Sequence, residues 1–110
     1  METDKDIKQL VELTRTKLQA GEHEDALKLA LDAVNFDPSH GPANFLYGVA
    51  LRLNGDLQES VNQLSAFSKK HPNIPQGHYE LGLANFRFGD VNKAVEELSR
   101  AVDLDPSMLV

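Results

Sequence analysis

The sequence predicts an all-α protein made of stacked helix-turn-helix units, an α-solenoid, and two observations carry that prediction. The first is spacing: Gly21, Gly55 and Gly89 are each 34 residues apart, and so are Pro38, Pro72 and Pro106. Self-similarity at a period of roughly 20 to 50 residues marks repeated supersecondary units that bury their apolar faces by stacking. The second is periodicity within the interval. Each copy has one helix-period apolar stretch that ends at the Gly and another that ends just before the Pro, the pattern of helix, turn, helix, turn. Aligned on the glycines, the copies are 7–40, 41–74 and 75–108, in register without insertion or deletion. They form a single domain over 1–110.

In copy one the first helix ends at Gly21 and the second runs toward Pro38. The corner Gly21-Glu22-His23 lacks a Ser, Thr, Asp or Asn to cap the second helix, so it is expected to be the least sharply defined. Copy two places Pro42 in a first helical turn, where a missing amide is tolerated. It turns at Asn54-Gly55-Asp56, with Glu59 three residues after Asp56 in a capping-box-like arrangement. In copy three, Pro75 again opens the first helix, and residues 76–88 place Leu81, Ala84 and Phe88 at helical spacing. Gly89 supplies the left-handed conformation that closes a helix. Asp90 then caps a second helix over residues 91 to 103, and Pro106 stops it.

Composition narrows the function classes. The chain has 110 residues, 41% apolar and 25% charged, within the range of an ordinary soluble domain. Its formal charge is −6, with the middle copy least acidic and no cluster of Lys and Arg. That balance argues against nucleic acid and against an anionic membrane as partner. There is no Cys, which removes disulfides, thiolate metal sites and thiol catalysis together. No stretch resembles a signal peptide or a membrane span, so the expected location is cytoplasmic.

No phosphate loop, dinucleotide fingerprint, nucleophile elbow or paired His is present, so no enzyme activity, cofactor or metal is expected. His71 and His78 flank Pro72 and Pro75 without a further ligand at metal spacing, and are read as solvent-exposed turn residues. The carboxylates Glu96, Glu97, Asp103 and Asp105 are read as a solvated face.

The repeat resembles the tetratricopeptide repeat, over nearly the whole chain. Copy three is nearest to the family pattern. It has Leu81-Gly82 and Phe86 in the first helix, Gly89-Asp90 at the turn, Ala94 and Ala101 in the second helix, and Leu104-Asp105-Pro106 at the end. The resemblance implies three units in a right-handed superhelical array. It also implies that Thr14, Gly48 and Gly82 meet Ala26, Ser60 and Ala94 where the paired helices cross, a place with no room for large side chains. The sequence departs from the pattern in two ways. Leu10, Asn44 and His78 replace the bulky aromatic near the start of the first helix, and Phe67 fills the slot of Ala33 and Ala101, which is expected to rotate or loosen that helix.

In this family the first helices line a concave groove. The matching slots hold Val11, Arg15 and Leu18, then Phe45, Val49 and Arg52, then Tyr79, Leu83 and Phe86, with Arg87 alongside. The resemblance thus implies a non-catalytic adaptor whose partner is a protein or peptide, apolar or amphipathic. Phe45 and Tyr79 share one slot and are the foremost anchors. The clamp that grips a C-terminal Glu-Glu-Val-Asp peptide is missing, because its slots hold Val11, Arg15, Leu46, Gln76 and Glu80, and Glu80 would repel a carboxylate.

Two alternatives remain open. One is a regulatory or substrate-presenting region of a larger enzyme such as a transferase, because the array stops at Val110 without a polar terminal helix, as if excised from or extended in a longer protein. The other is self-association through the last helix, whose stripe of Val91, Val95, Leu98 and Val102 has no cover.

Overall fold

The computed structural model describes residues 3–109, and side chains from residue 6 to 108. Among these residues there are six α-helices and no strand: α1 (Thr3–Gln19), α2 (His23–Phe36), α3 (Gly41–Leu53), α4 (Leu57–Lys70), α5 (Pro75–Phe88) and α6 (Val91–Leu104). A short 3-10 turn, Pro106–Leu109, follows α6 and packs on it. The helices fall into two compact units, Met1–Asp56 and Leu57–Val110.

The three glycine turns close in the same way. Gly21, Gly55 and Gly89 have φ of 77°, 86° and 107°, the left-handed region that a residue without Cβ enters at little cost. Each Gly amide donates to the helix before it, to Leu18, Arg52 and Phe86 respectively. The next amide reaches one residue further back: Glu22 to Lys17, Asp56 to Leu51, Asp90 to Asn85. These paired bonds satisfy carbonyls that a helix end otherwise leaves open, as in a Schellman motif.

The first corner is therefore as well closed as the others, contrary to the sequence expectation. Glu22 makes no cap bond, and its carboxylate instead takes a 2.7 Å hydrogen bond from Lys17. That bond raises the Lys17 ammonium above its ordinary value. The corner is also held from α3, because Asn54 Nδ2 donates to the His23 carbonyl at 2.8 Å and to the Ala50 carbonyl at 2.7 Å.

In the first unit α2 packs against both α1 and α3, and α1 also touches α3. Its core is Ile7, Val11, Ala33, Ala43 and Leu46, with Leu10, Leu18, Val34 and Phe45 packed around it. Thr14 is buried on α1 and donates its hydroxyl to the Leu10 carbonyl at 2.7 Å, while Ala26 and Ala30 are fully buried on α2. Thr14 and Ala26, which the resemblance placed at the helix crossing, are thus both buried.

In the second unit α5 packs between α4 and α6. Proline opens α5 at Pro75, as the sequence predicted, and Pro42 lies in the first turn of α3. Gly82 marks the closest approach. A Cβ built there would lie 2.7 Å from Leu98 Cγ and 3.3 Å from the Ala94 carbonyl oxygen, so any side chain there forces Leu98 to shift. Phe67 is buried, and its ring is accommodated because α5 presents Gly77, where a Cβ would come within 3.0 Å of it. Leu81 and Ala84 are in the core, whereas Phe88, the third member of that spacing, is exposed at the end of α5. Asp90 caps α6 as expected, its Oδ1 accepting from the Lys93 amide at 3.1 Å.

Two substitutions check this account by urea denaturation. Gly82→Val is expected to lose about 1 to 3 kcal/mol through overpacking against Leu98. Asp90→Ala is expected to lose about 1 kcal/mol with its cap bond, and Glu22→Ala less than that, because Glu22 caps nothing.

Candidate functional site

The residues that the sequence assigned to ligand contact lie on α1, α3 and α5, and they differ in what they leave on the surface. On the first unit, Val11 is buried in the core cluster, and Leu18 and Phe45 pack against that cluster from its edge. Val49 is buried and Arg52 half-buried, while Arg15 is exposed. The structure thus brings Val11 and Phe45 together, with Val11 serving the core and Phe45 keeping part of its ring accessible. On the second unit, Tyr79 and Leu83 are half-buried on α5, and Phe86 and Arg87 are exposed, Phe86 at 60%. Phe45 and Tyr79 therefore share both a repeat slot and an intermediate burial.

A second constellation was not anticipated. A cleft of about 320 Å³ in the second unit is lined by residues of α4, α5 and α6 and by Pro72. At its base His78 Nδ1 lies 2.7 Å from Glu97 Oε1, and His78 Nε2 lies 2.8 Å from the Pro72 carbonyl oxygen. Arg100 Nη1 donates to the other Glu97 oxygen at 3.2 Å. His78 is 5% exposed and Glu97 6%, so both sequence expectations are corrected: His78 is not a surface turn residue, and Glu97 is not part of a solvated face. The reason is local. The helix begins at Pro75, which puts His78 on its first turn facing α6, and Glu97 is one of the residues α6 turns inward beside Ala94 and Ala101.

The available signal was that His78 stands in the slot where the repeat pattern has a bulky aromatic, a slot that faces inward. Of its neighbours, Glu96 and Asp103 are exposed as expected, and Asp105 accepts from the amide and hydroxyl of Ser107 in the turn after α6. His71 does lie in the α4–α5 turn, half-buried, its ring 4.8 Å from that of Phe67.

Among the described residues, no group of three or more His, Cys, Asp or Glu is placed to hold a metal ion. None of the helices among those residues is long and apolar enough to cross a membrane.

Comparison with known proteins agrees with the repeat architecture. Several solved structures share the fold. MamA from residue 41 to its end, from Desulfovibrio magneticus RS-1, superposes with a TM-score of 0.82 at 24% identity, covering 91% of this chain and 56% of that one. YrrB, described as a TPR protein with an unusual peptide-binding site, gives 0.84 at 23% identity, covering 94% and 53%. PcrH, solved in complex with the chaperone binding region of PopB, gives 0.83 at 19% identity, covering 94% and 83%. The chain thus spans a little over half the length of the first two. No curated protein matches the sequence. The model of the family described as tetratricopeptide repeat matches residues 12–64 and 54–108, and with six helices in helix-turn-helix order the chain belongs to the tetratricopeptide repeat family.

Proposed function

We propose that this chain is a non-catalytic interaction module whose first helices bind a protein or peptide segment in the groove typical of the family, acting as scaffold or adaptor in the cytoplasm. The observation that carries the reading is the pair Phe45 and Tyr79. Each occupies the same repeat slot on its own unit, packed well enough to be rigid and open enough to touch a ligand. Rigid aromatic anchors beside arginines are over-represented among residues that dominate binding energy. Arg15 accompanies the first anchor, and Phe86 and Arg87 the second. Their chemistry suits an apolar or amphipathic segment with an acidic flank. YrrB, described as having an unusual peptide-binding site, and PcrH, solved with the chaperone binding region of PopB, lend support by likeness of fold.

A second reading, self-association through α6, is favoured by one observation: Val91 and Val95 are 55% and 60% exposed, while Leu98 and Val102 of the same stripe are half-buried.

The double variant Phe45→Ala, Tyr79→Ala should weaken capture of the native partner by about 2 kcal/mol or more and leave the helical circular dichroism unchanged. Wild-type affinity in that variant would overturn the anchor assignment. Val95→Asp separates the second reading. A concentration-dependent dimer in wild-type sedimentation that this substitution abolishes would support self-association, and a wild-type monomer across the micromolar range would exclude it.

A further inference from the structure

The ring of His78 lies between two groups that accept hydrogen bonds. Glu97 Oε1 is 2.7 Å from Nδ1, and the Pro72 carbonyl oxygen is 2.8 Å from Nε2. A neutral imidazole donates from one nitrogen and keeps a lone pair on the other, so facing two acceptors it would set that lone pair against an oxygen lone pair. The imidazolium donates in both directions. Burial sharpens the contrast, because water is not at hand to rescue a mismatched contact between side chains only 6% and 8% exposed.

The extra proton belongs on the ring. Arg100 Nη1 bonds the second Glu97 oxygen, which favours carboxylate over carboxylic acid.

We propose that His78 is a proton-dependent latch of the second unit, a doubly protonated ring that ties the α4–α5 turn, through the Pro72 carbonyl, to Glu97 on α6. The charged groups around it come from α6 and α4. On α6, Glu97 and Arg100 form the network, and Glu96 and Lys93 line the same cleft; α4 contributes Lys69, beside the hydroxyls of Ser65 and Ser68. Lys69, Lys93 and Arg100 oppose the imidazolium, and Glu96 and Glu97 favour it. Glu97 dominates because it alone of these is in hydrogen-bond contact and buried. In the α4–α5 turn, His71 stands against the ring of Phe67.

The sign follows from the proton count. Above about pH 6.5 an unfolded imidazole is mostly neutral, whereas the latched ring keeps its proton, so folding takes up a proton in that range. The latch contributes fully below that pH. Its contribution falls as pH rises, at up to about tenfold in the folding equilibrium constant per pH unit for one proton, until the folded ring itself deprotonates. Losing the proton frees one end of the bridge, either the turn or α6.

Nitrogen-15 NMR of the whole chain at about pH 7.5, within the range where histidine ordinarily changes charge, is expected to show both His78 ring nitrogens protonated. A bare ring nitrogen would overturn the latch. Urea denaturation at several pH values above that of the free imidazole then compares wild type with His78→Gln and with His71→Gln as control. Wild type and the control should lose stability with rising pH more steeply than His78→Gln, and parallel profiles in all three would also overturn it. Should His78→Gln fail to fold, the same comparison uses Glu97→Gln, and the NMR result stands on wild type alone.

Discussion

The reversal of chain direction at a left-handed glycine is the constraint on which the rest of the structure depends. At Gly21, Gly55 and Gly89 the positive φ lets two successive amides turn back to the helix just completed, and the next helix starts two residues later. Within each unit, at Gly21 and at Gly89, so short a connection holds the paired helices together, and the residues at the crossing must be small. Gly82 against Ala94 and Leu98 shows how little room is left. The 34-residue interval repeats the same turn at each glycine.

Within that frame the two units solve the packing between successive copies differently. In the first, Ala33 of α2 and Ala43 of α3 share the core cluster. At the corresponding slots of the second stand Phe67 on α4 and Gly77 on α5, the ring lying 3.0 Å from where a Cβ of residue 77 would be. Volume gained on one helix is surrendered on the other, which is the exchange that cores tolerate best. Phe67 is therefore buried with its gap already made, and the loosening expected of α4 from its sequence alone has no need to occur. The polar bridge of His78, Glu97 and Arg100 is a second local solution, filling an inward slot with a hydrogen-bonded network in place of an aromatic side chain. Such networks are stable only when each member is satisfied, and here each ring nitrogen and each carboxylate oxygen has a partner.

The first helices also carry the residues proposed to meet a partner. Phe45 and Tyr79 are half-buried, and Arg15 and Arg87 are exposed. Gly82 and Ala94, by contrast, reflect what the fold needs.

The sequence by itself determined the six helices, the glycine turns and the small residues of the crossings, because each is dictated by local backbone conformation or by a repeated position. Asp90 as a cap and Pro75 at a helix start were legible for the same reason. Of the candidate contact residues, it placed Phe45 and Tyr79 in one slot but could not distinguish their half-burial from the full burial of Val11, since a helical stripe shows which face points inward and not how deep each side chain goes. Only the tertiary structure paired His78 with Glu97, 19 positions apart, and matched Phe67 to Gly77. A charged residue on a helix reads as solvated until a second helix brings its counterpart within hydrogen-bond reach, and a bulky side chain reads as misfit until the neighbour that yields to it is in place.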